Sequence, residues 1–182
     1  MNPKNTPTRY GSLPIGLHWL MLFLFIAAYA SIEFSGSFPK GSDSRAAMKA
    51  LHFSLGLLIF FTVWLRLAVR FASPAPHTAA TTAAWQAQAA RLAHGALYLL
   101  MIALPLAGWL ALSAAGKPIA FFGLELPALI GETASLAKPI KKLHETLGNA
   151  AYLLIGLHGA AALYHHYVLR DDTLRKMLPA GH

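Results

Sequence analysis

The sequence predicts an all-α protein, an integral membrane four-helix bundle, on three observations. Hydrophobic residues make up 56% of the 182 positions and charged residues only 12%, against about 25% charged in an ordinary soluble domain. Four long runs are almost free of charge, and a helix needs about 20 such residues to cross the hydrocarbon. The titratable side chains inside those runs are chiefly histidines. A spanning helix satisfies its backbone internally. One bundle domain over residues 1–182 is therefore expected, with helices at about 13–32, 47–70, 86–112 and 142–169.

The first run, residues 13–32, has no charged residue and one histidine, His18. Lys4 and Arg9 before it, with Ala28-Tyr29-Ala30 inside it, give the outline of a secretory signal. Its length and the internal His18-Trp19 favour a retained helix instead. Residues 33–48 carry Gly36, Pro39, Gly41 and Asp43 and read as a loop. The second run, 50–65, includes His52 and continues past Arg66 to residue 69. A second loop, 71–84, contains Pro74 and Pro76. The third run, 92–112, contains His94, and Pro105 should kink it. Residues 113–142 form the longest connection, and its segment KPIAFFGLELPALIG is apolar enough to lie on a membrane surface. The fourth run, 146–169, is interrupted by histidines alone, before a polar tail with Asp171, Asp172, Arg175 and Lys176.

Four spans put both termini on one side of the membrane. Lysine and arginine together divide almost evenly between the sides, but arginines divide six to one toward the termini. Basic residues favour the cytoplasm, so both termini are expected there.

The chain has no cysteine. That excludes disulfides, thiolate-bound iron–sulfur clusters and covalent haem attachment, and leaves histidine to bind a buried metal or haem. In HETLGNAAYLLIGLH, His144 and His158 lie fourteen residues apart, which on a helix is about 21 Å of rise and a return to within about 40° of one direction. Placed by depth in an antiparallel bundle, His52 meets His144 near the outer side and His18 meets His158 near the inner side. Two facing imidazole pairs suit two haems with histidine on both axial positions. Gly56 and Gly148, one turn from ligands, would leave room for a flat macrocycle. A single membrane histidine can instead hydrogen-bond a neighbouring helix, but four that sort into two matched pairs favour cofactor ligation. Zinc would want a carboxylate or thiolate beside the pairs, and none accompanies them.

Arg66, fourteen residues after His52, shares its face near the inner haem and can bind a haem propionate; the alternative is a snorkelling arginine at a helix end. His94 and His165 lie toward the inner ends of their helices and can hydrogen-bond quinone carbonyls or pass protons. His166 points off that face, and His77 and His182, in loop and tail, read as solvated.

The stretches LHWLMLFLFIAAY, Leu51-His52, HGALYLLMIALPLAG, LHETLGNAAYLLIGLHGAAALYHHY and DDTLRKMLP resemble the bacterial cytochrome b561 family, which includes superoxide oxidases. The resemblance covers most of the chain, with a poor match at residues 71–91. It implies two b haems, with His18 and His158 binding the inner iron and His52 and His144 the outer. It also implies oxidation of superoxide at the periplasmic face and reduction of ubiquinone near the cytoplasmic side, with His94 and His165 near the quinone. Lys138, Lys141 and Lys142, just before His144, would steer the superoxide anion to that face; otherwise they sit at lipid headgroups. Superoxide, ubiquinone and membrane lipid are the expected partners. Nucleic acid is not among them, and the short loops argue that no protein partner is required. The chief alternative is a dihaem subunit that takes electrons from a hydrogenase or dehydrogenase. A transporter with a histidine proton path is the third class.

Overall fold

The computed structural model describes residues 4–6, 9–73, 76 and 83–179. Four helices dominate it. Helix α1, Ser12–Ser35, follows Gly11 and carries Pro14 in its first turn, where amide groups have no intrahelical acceptor to lose. Helix α2, Asp43–Ala72, is capped by Ser42, whose hydroxyl accepts the Arg45 amide at 3.3 Å. Asp43 adds negative charge at its positive dipole end. Helix α3, Ala84–Ala114, starts where the Gln86 side chain accepts the Ala83 amide at 3.2 Å. Helix α4, Ala134–Tyr164, runs into one π-helical turn, His165–Leu169, and a single 3-10 turn follows at Arg175–Met177. All four helices are long and apolar enough to cross a membrane, with mean hydropathy from 1.3 to 2.0.

Packing is uneven. Met21, Leu24 and Ala28 of α1, Leu55, Ile59 and Val63 of α2 and Met101 of α3 form the buried core. Helix α4 packs chiefly along α3, and Ala151 is its one buried residue among those described. Phe23, Leu99 and Leu153 point outward, as lipid-facing residues should, because hydrocarbon solvates them as well as a protein interior does.

Two features depart from the sequence reading. Helix α4 begins at Ala134 rather than near residue 142 and includes Pro139. The proline sits in the second turn, so it costs one hydrogen bond, to the Ser135 carbonyl, close to where a helix frays anyway. The connection before it is not a flat surface segment throughout. Strand β1, Ile119–Phe121, pairs antiparallel with β2, Leu124–Leu126. Their two-residue turn has positive φ at both Phe122 (46°) and Gly123 (88°), the signature of a type I′ hairpin. Ser54 of α2 fastens this hairpin. Its hydroxyl donates to the Ala120 carbonyl at 3.2 Å and accepts the Phe122 amide at 3.0 Å, while Ile119 is buried.

Candidate functional site

The bundle has a terminal end, where α1 begins and the described tail after α4 returns to it, and a hairpin end, carrying β1–β2. Near the hairpin end the rings of His52 (α2) and His144 (α4) face each other, their centres 6.1 Å apart. Toward the terminal end His18 (α1) and His158 (α4) lie with centres 6.2 Å apart. Each pair thus takes one member from α4 and one from the α1–α2 half. Two metal–imidazole bonds of about 2 Å each, extended to the ring centres, give a separation of about 6 Å. Both pairs match that span.

Backbone carbonyls fix both rings of the hairpin-end pair. The His52 Nδ1–H donates to the Ala28 carbonyl at 2.8 Å, and the His144 Nδ1–H donates to the Leu104 carbonyl at 2.9 Å. Both bonds leave Nε2 without the ring proton and free to coordinate, as a metal-binding histidine requires. The rings open on a cleft lined by Phe25, Tyr29, Gly56, Ile59, Pro105 and Gly148, among others. A methyl group on Gly56 or Gly148 would meet no other side chain or neighbouring helix within 4 Å, so both glycines leave space along the cleft. Among the described residues no cluster of three His, Asp or Glu side chains could hold a bare ion. Paired imidazoles in an apolar cleft instead suit a metal whose other ligands come with it, as in haem.

Three residues here escaped sequence reading. Gly108 lies one turn after Leu104, and a Cβ on it would meet His144 Cε1 at 3.2 Å. Tyr29 donates its hydroxyl proton to the Gly148 carbonyl at 2.9 Å, tying α1 to α4, and its ring lies 3.8 Å from that of Tyr152. The LPLAG run around Pro105 was the available signal for Gly108. Nothing local announced the tyrosines.

At the terminal end three imidazoles gather rather than two. His94 lies 5.4 Å from His158, centre to centre, too close for a metal between those rings but close enough to pack. Arg66 donates to His18 Nδ1 at 2.9 Å and to the Tyr98 hydroxyl at 3.3 Å. Its guanidinium and that of Arg70 both lie over the Tyr98 ring, at 5.6 and 5.8 Å.

His165 does not join His94. Its Nδ1 donates to Asp171 Oδ2 at 2.5 Å. Burial pushes the Asp171 carboxyl up, but hydrogen bonds from His165 and Thr173 outweigh it and hold the group below the usual carboxylate range. His166 has a buried Nδ1 with no hydrogen-bond partner among the described residues. His77, His182 and Pro74 lie outside the described residues. The tail beyond α4 is pinned at its far end, where the Trp19 indole donates to the Met177 carbonyl at 2.8 Å and Arg9 to the Leu178 carbonyl at 3.0 Å.

Lys138, Lys141 and Lys142 are exposed on the first turns of α4, at the hairpin end. Lys141 forms an ion pair with Glu145; Lys138 and Lys142 form none among the described residues.

A family profile described as prokaryotic cytochrome b561 matches residues 9–180. Cytochrome b561 homolog 1 of Escherichia coli K12 is 35% identical over 171 residues, 94% of this chain and 97% of that protein. A protein of Yersinia pestis named probable superoxide oxidase CybB is 39% identical over 94% of this chain and 96% of its own length. Cytochrome b561 homolog 2 of Escherichia coli K12 is 33% identical over 98% and 95%, respectively. With four spanning helices and a match over nearly its whole length, the chain belongs to the prokaryotic cytochrome b561 family, multi-pass membrane proteins whose membership implies b-type haem and electron transfer.

Proposed function

We propose that this cytochrome oxidises superoxide to dioxygen at the hairpin end and delivers the electrons to ubiquinone near the terminal end. The hairpin end then faces the periplasm and both termini the cytoplasm, across a bacterial inner membrane. The observation that carries the reading is the pair of matched histidine couples, 6.1 and 6.2 Å apart centre to centre, at two depths of one bundle. The name of the Yersinia pestis relative supports superoxide as the electron source.

In this reading His52 and His144 hold one b haem, and His18 and His158 the other. Each haem supplies a one-electron carrier. The chain's own residues do the rest. The Ala28 and Leu104 carbonyls fix the ring orientations of His52 and His144 and strengthen them as donors. Exposed Lys138 and Lys142 raise the local concentration of a small anion. Arg66 as placed donates to His18 Nδ1, which puts the ring proton on Nε2. Ligation through Nε2 requires the guanidinium to turn to another acceptor, and a haem propionate is the fitting one, because a guanidinium binds carboxylates bidentately. His94 and His165 serve the quinone, which takes two electrons and two protons to become a quinol. No protein partner is needed for this cycle.

The test is a pair of half-reactions followed in the visible spectrum. Pulsed superoxide should reduce the haem of purified protein, and added ubiquinone should reoxidise it. Haem that stays oxidised under superoxide but is reduced by a docked dehydrogenase would replace this reading with that of a partner-fed subunit.

A further inference from the structure

The strand of chain just past α4 is built around one side chain. At His165 the α-helix widens into a π-turn, a feature concentrated at functional positions. Arg170 then takes a left-handed conformation, φ 54°, which costs a non-glycine residue strain and persists only where its surroundings demand it. The strained turn directs the amides of residues 170 and 171 to the His165 carbonyl, that of Asp171 at 3.1 Å. It also brings the Asp171 carboxylate to His165 Nδ1 at 2.5 Å. The two carboxylate oxygens divide their work. Oδ2 accepts from His165, and Oδ1 accepts the Thr173 amide at 2.8 Å. Both side chains of the pair are about four-fifths covered, at 21% and 20% exposure, and the tail's anchoring to Trp19 and Arg9 keeps Asp171 in place. No described residue bonds His165 Nε2.

The His165 carbonyl is thus fixed by the amides of Arg170 and Asp171, and its ring by Asp171. A carboxylate on Nδ1 sets the tautomer, frees Nε2 and compensates the positive charge whenever the ring takes a second proton. We propose that Asp171 is a positioning residue that makes His165 a proton donor to the bound quinone, an inference resting on the quinone reading above. For each proton delivered, the His165 Nε2–H bond breaks and an O–H bond forms on the quinone. The electron would be supplied by the haem that His18 and His158 would hold; the His165 ring remains as its Nδ1–H form against Asp171, and a proton from cytoplasmic water restores it.

Asp171→Asn separates this role from a structural one. Asparagine keeps the oxygen that caps Thr173 but sets an NH₂ donor against Nδ1, so the turn survives and the ring loses its charge partner. Reduced protein, mixed with a short-chain ubiquinone, should then reoxidise at least about 10-fold more slowly at saturating quinone. The half-saturating quinone concentration should stay near that of the wild type. In a His165→Gln background the same substitution should add nothing, since the two residues act as one unit. Asp171→Glu, which keeps the charge and disturbs the turn, should retain more activity than Asp171→Asn. Wild-type rates in Asp171→Asn, an equal further loss on top of His165→Gln, or Asn outperforming Glu would each overturn the proposal. Wild-type protein that no ubiquinone reoxidises would instead remove the quinone reading itself.

Discussion

The imidazole of His144 sits 3.2 Å from the point where a side chain on Gly108 would begin, and its Nδ1 bonds the carbonyl of Leu104 one turn earlier. Glycine normally weakens a helix by about 1 kcal/mol relative to alanine, so its presence on α3 calls for a steric reason, and the ring supplies one. Gly108→Ala should be tolerated with the ring displaced by a few tenths of an ångström. Gly108→Val should push His144 away from Leu104 and remove the hairpin-end haem while the other remains, as read by haem content and by electron paramagnetic resonance of the low-spin iron.

Purified protein should hold two b haems per chain. His52→Ala and His144→Ala should abolish the same spectral component, and His18→Ala and His158→Ala the other. Retention of both components in all four variants would refute the pairing.

Under the proposed function, the three lysines in the first turns of α4 should not be equivalent. Lys141 is paired with Glu145, which offsets part of its field, so Lys138→Gln and Lys142→Gln should slow haem reduction by superoxide more than Lys141→Gln does. Glu145→Gln should accelerate it. Raising salt from 0.01 M to 0.15 M shortens the field's reach from about 30 Å to about 8 Å and should compress all these differences. A neutral reductant should not distinguish the variants. Equal rates for all of them at low salt would assign the lysines to the membrane surface.

His94 and His165 should separate as well. His94 packs on His158 at 5.4 Å, so His94→Gln should slow reoxidation by quinone and also shift the spectrum of the terminal-end haem. His165→Gln should slow reoxidation with that spectrum unchanged. Identical behaviour of the two variants would show that they share one role.

What the sequence could reveal followed from its periodicities. Long apolar runs located four helices, and the fourteen-residue spacing of His144 and His158, combined with antiparallel depth, paired the histidines that the fold brings together. Features that depend on another part of the chain were out of reach. Gly108 matters because of a ring thirty-six residues away in sequence, and Ser54 because it bonds a hairpin whose turn places a phenylalanine at positive φ. Each hairpin strand has three residues, too short for an alternating pattern to register. The early start of α4 was hidden behind Pro139, and the His165–Asp171 bond depends on a π-turn that no local spacing announces.

Helix α4 supplies one histidine to each couple, fourteen residues apart. The interval between the two sites is therefore written into a single rigid rod and not into the way separate helices happen to settle. Residues of this interval that face outward, such as Leu153 and Leu157, can be exchanged for other apolar, helix-forming residues without altering it. Inserting or deleting even one would swing His158 by about 100° and shift it by about 1.5 Å along the axis, turning it away from His18. Relatives that diverge widely in sequence here should still count the same number of residues from one histidine to the other.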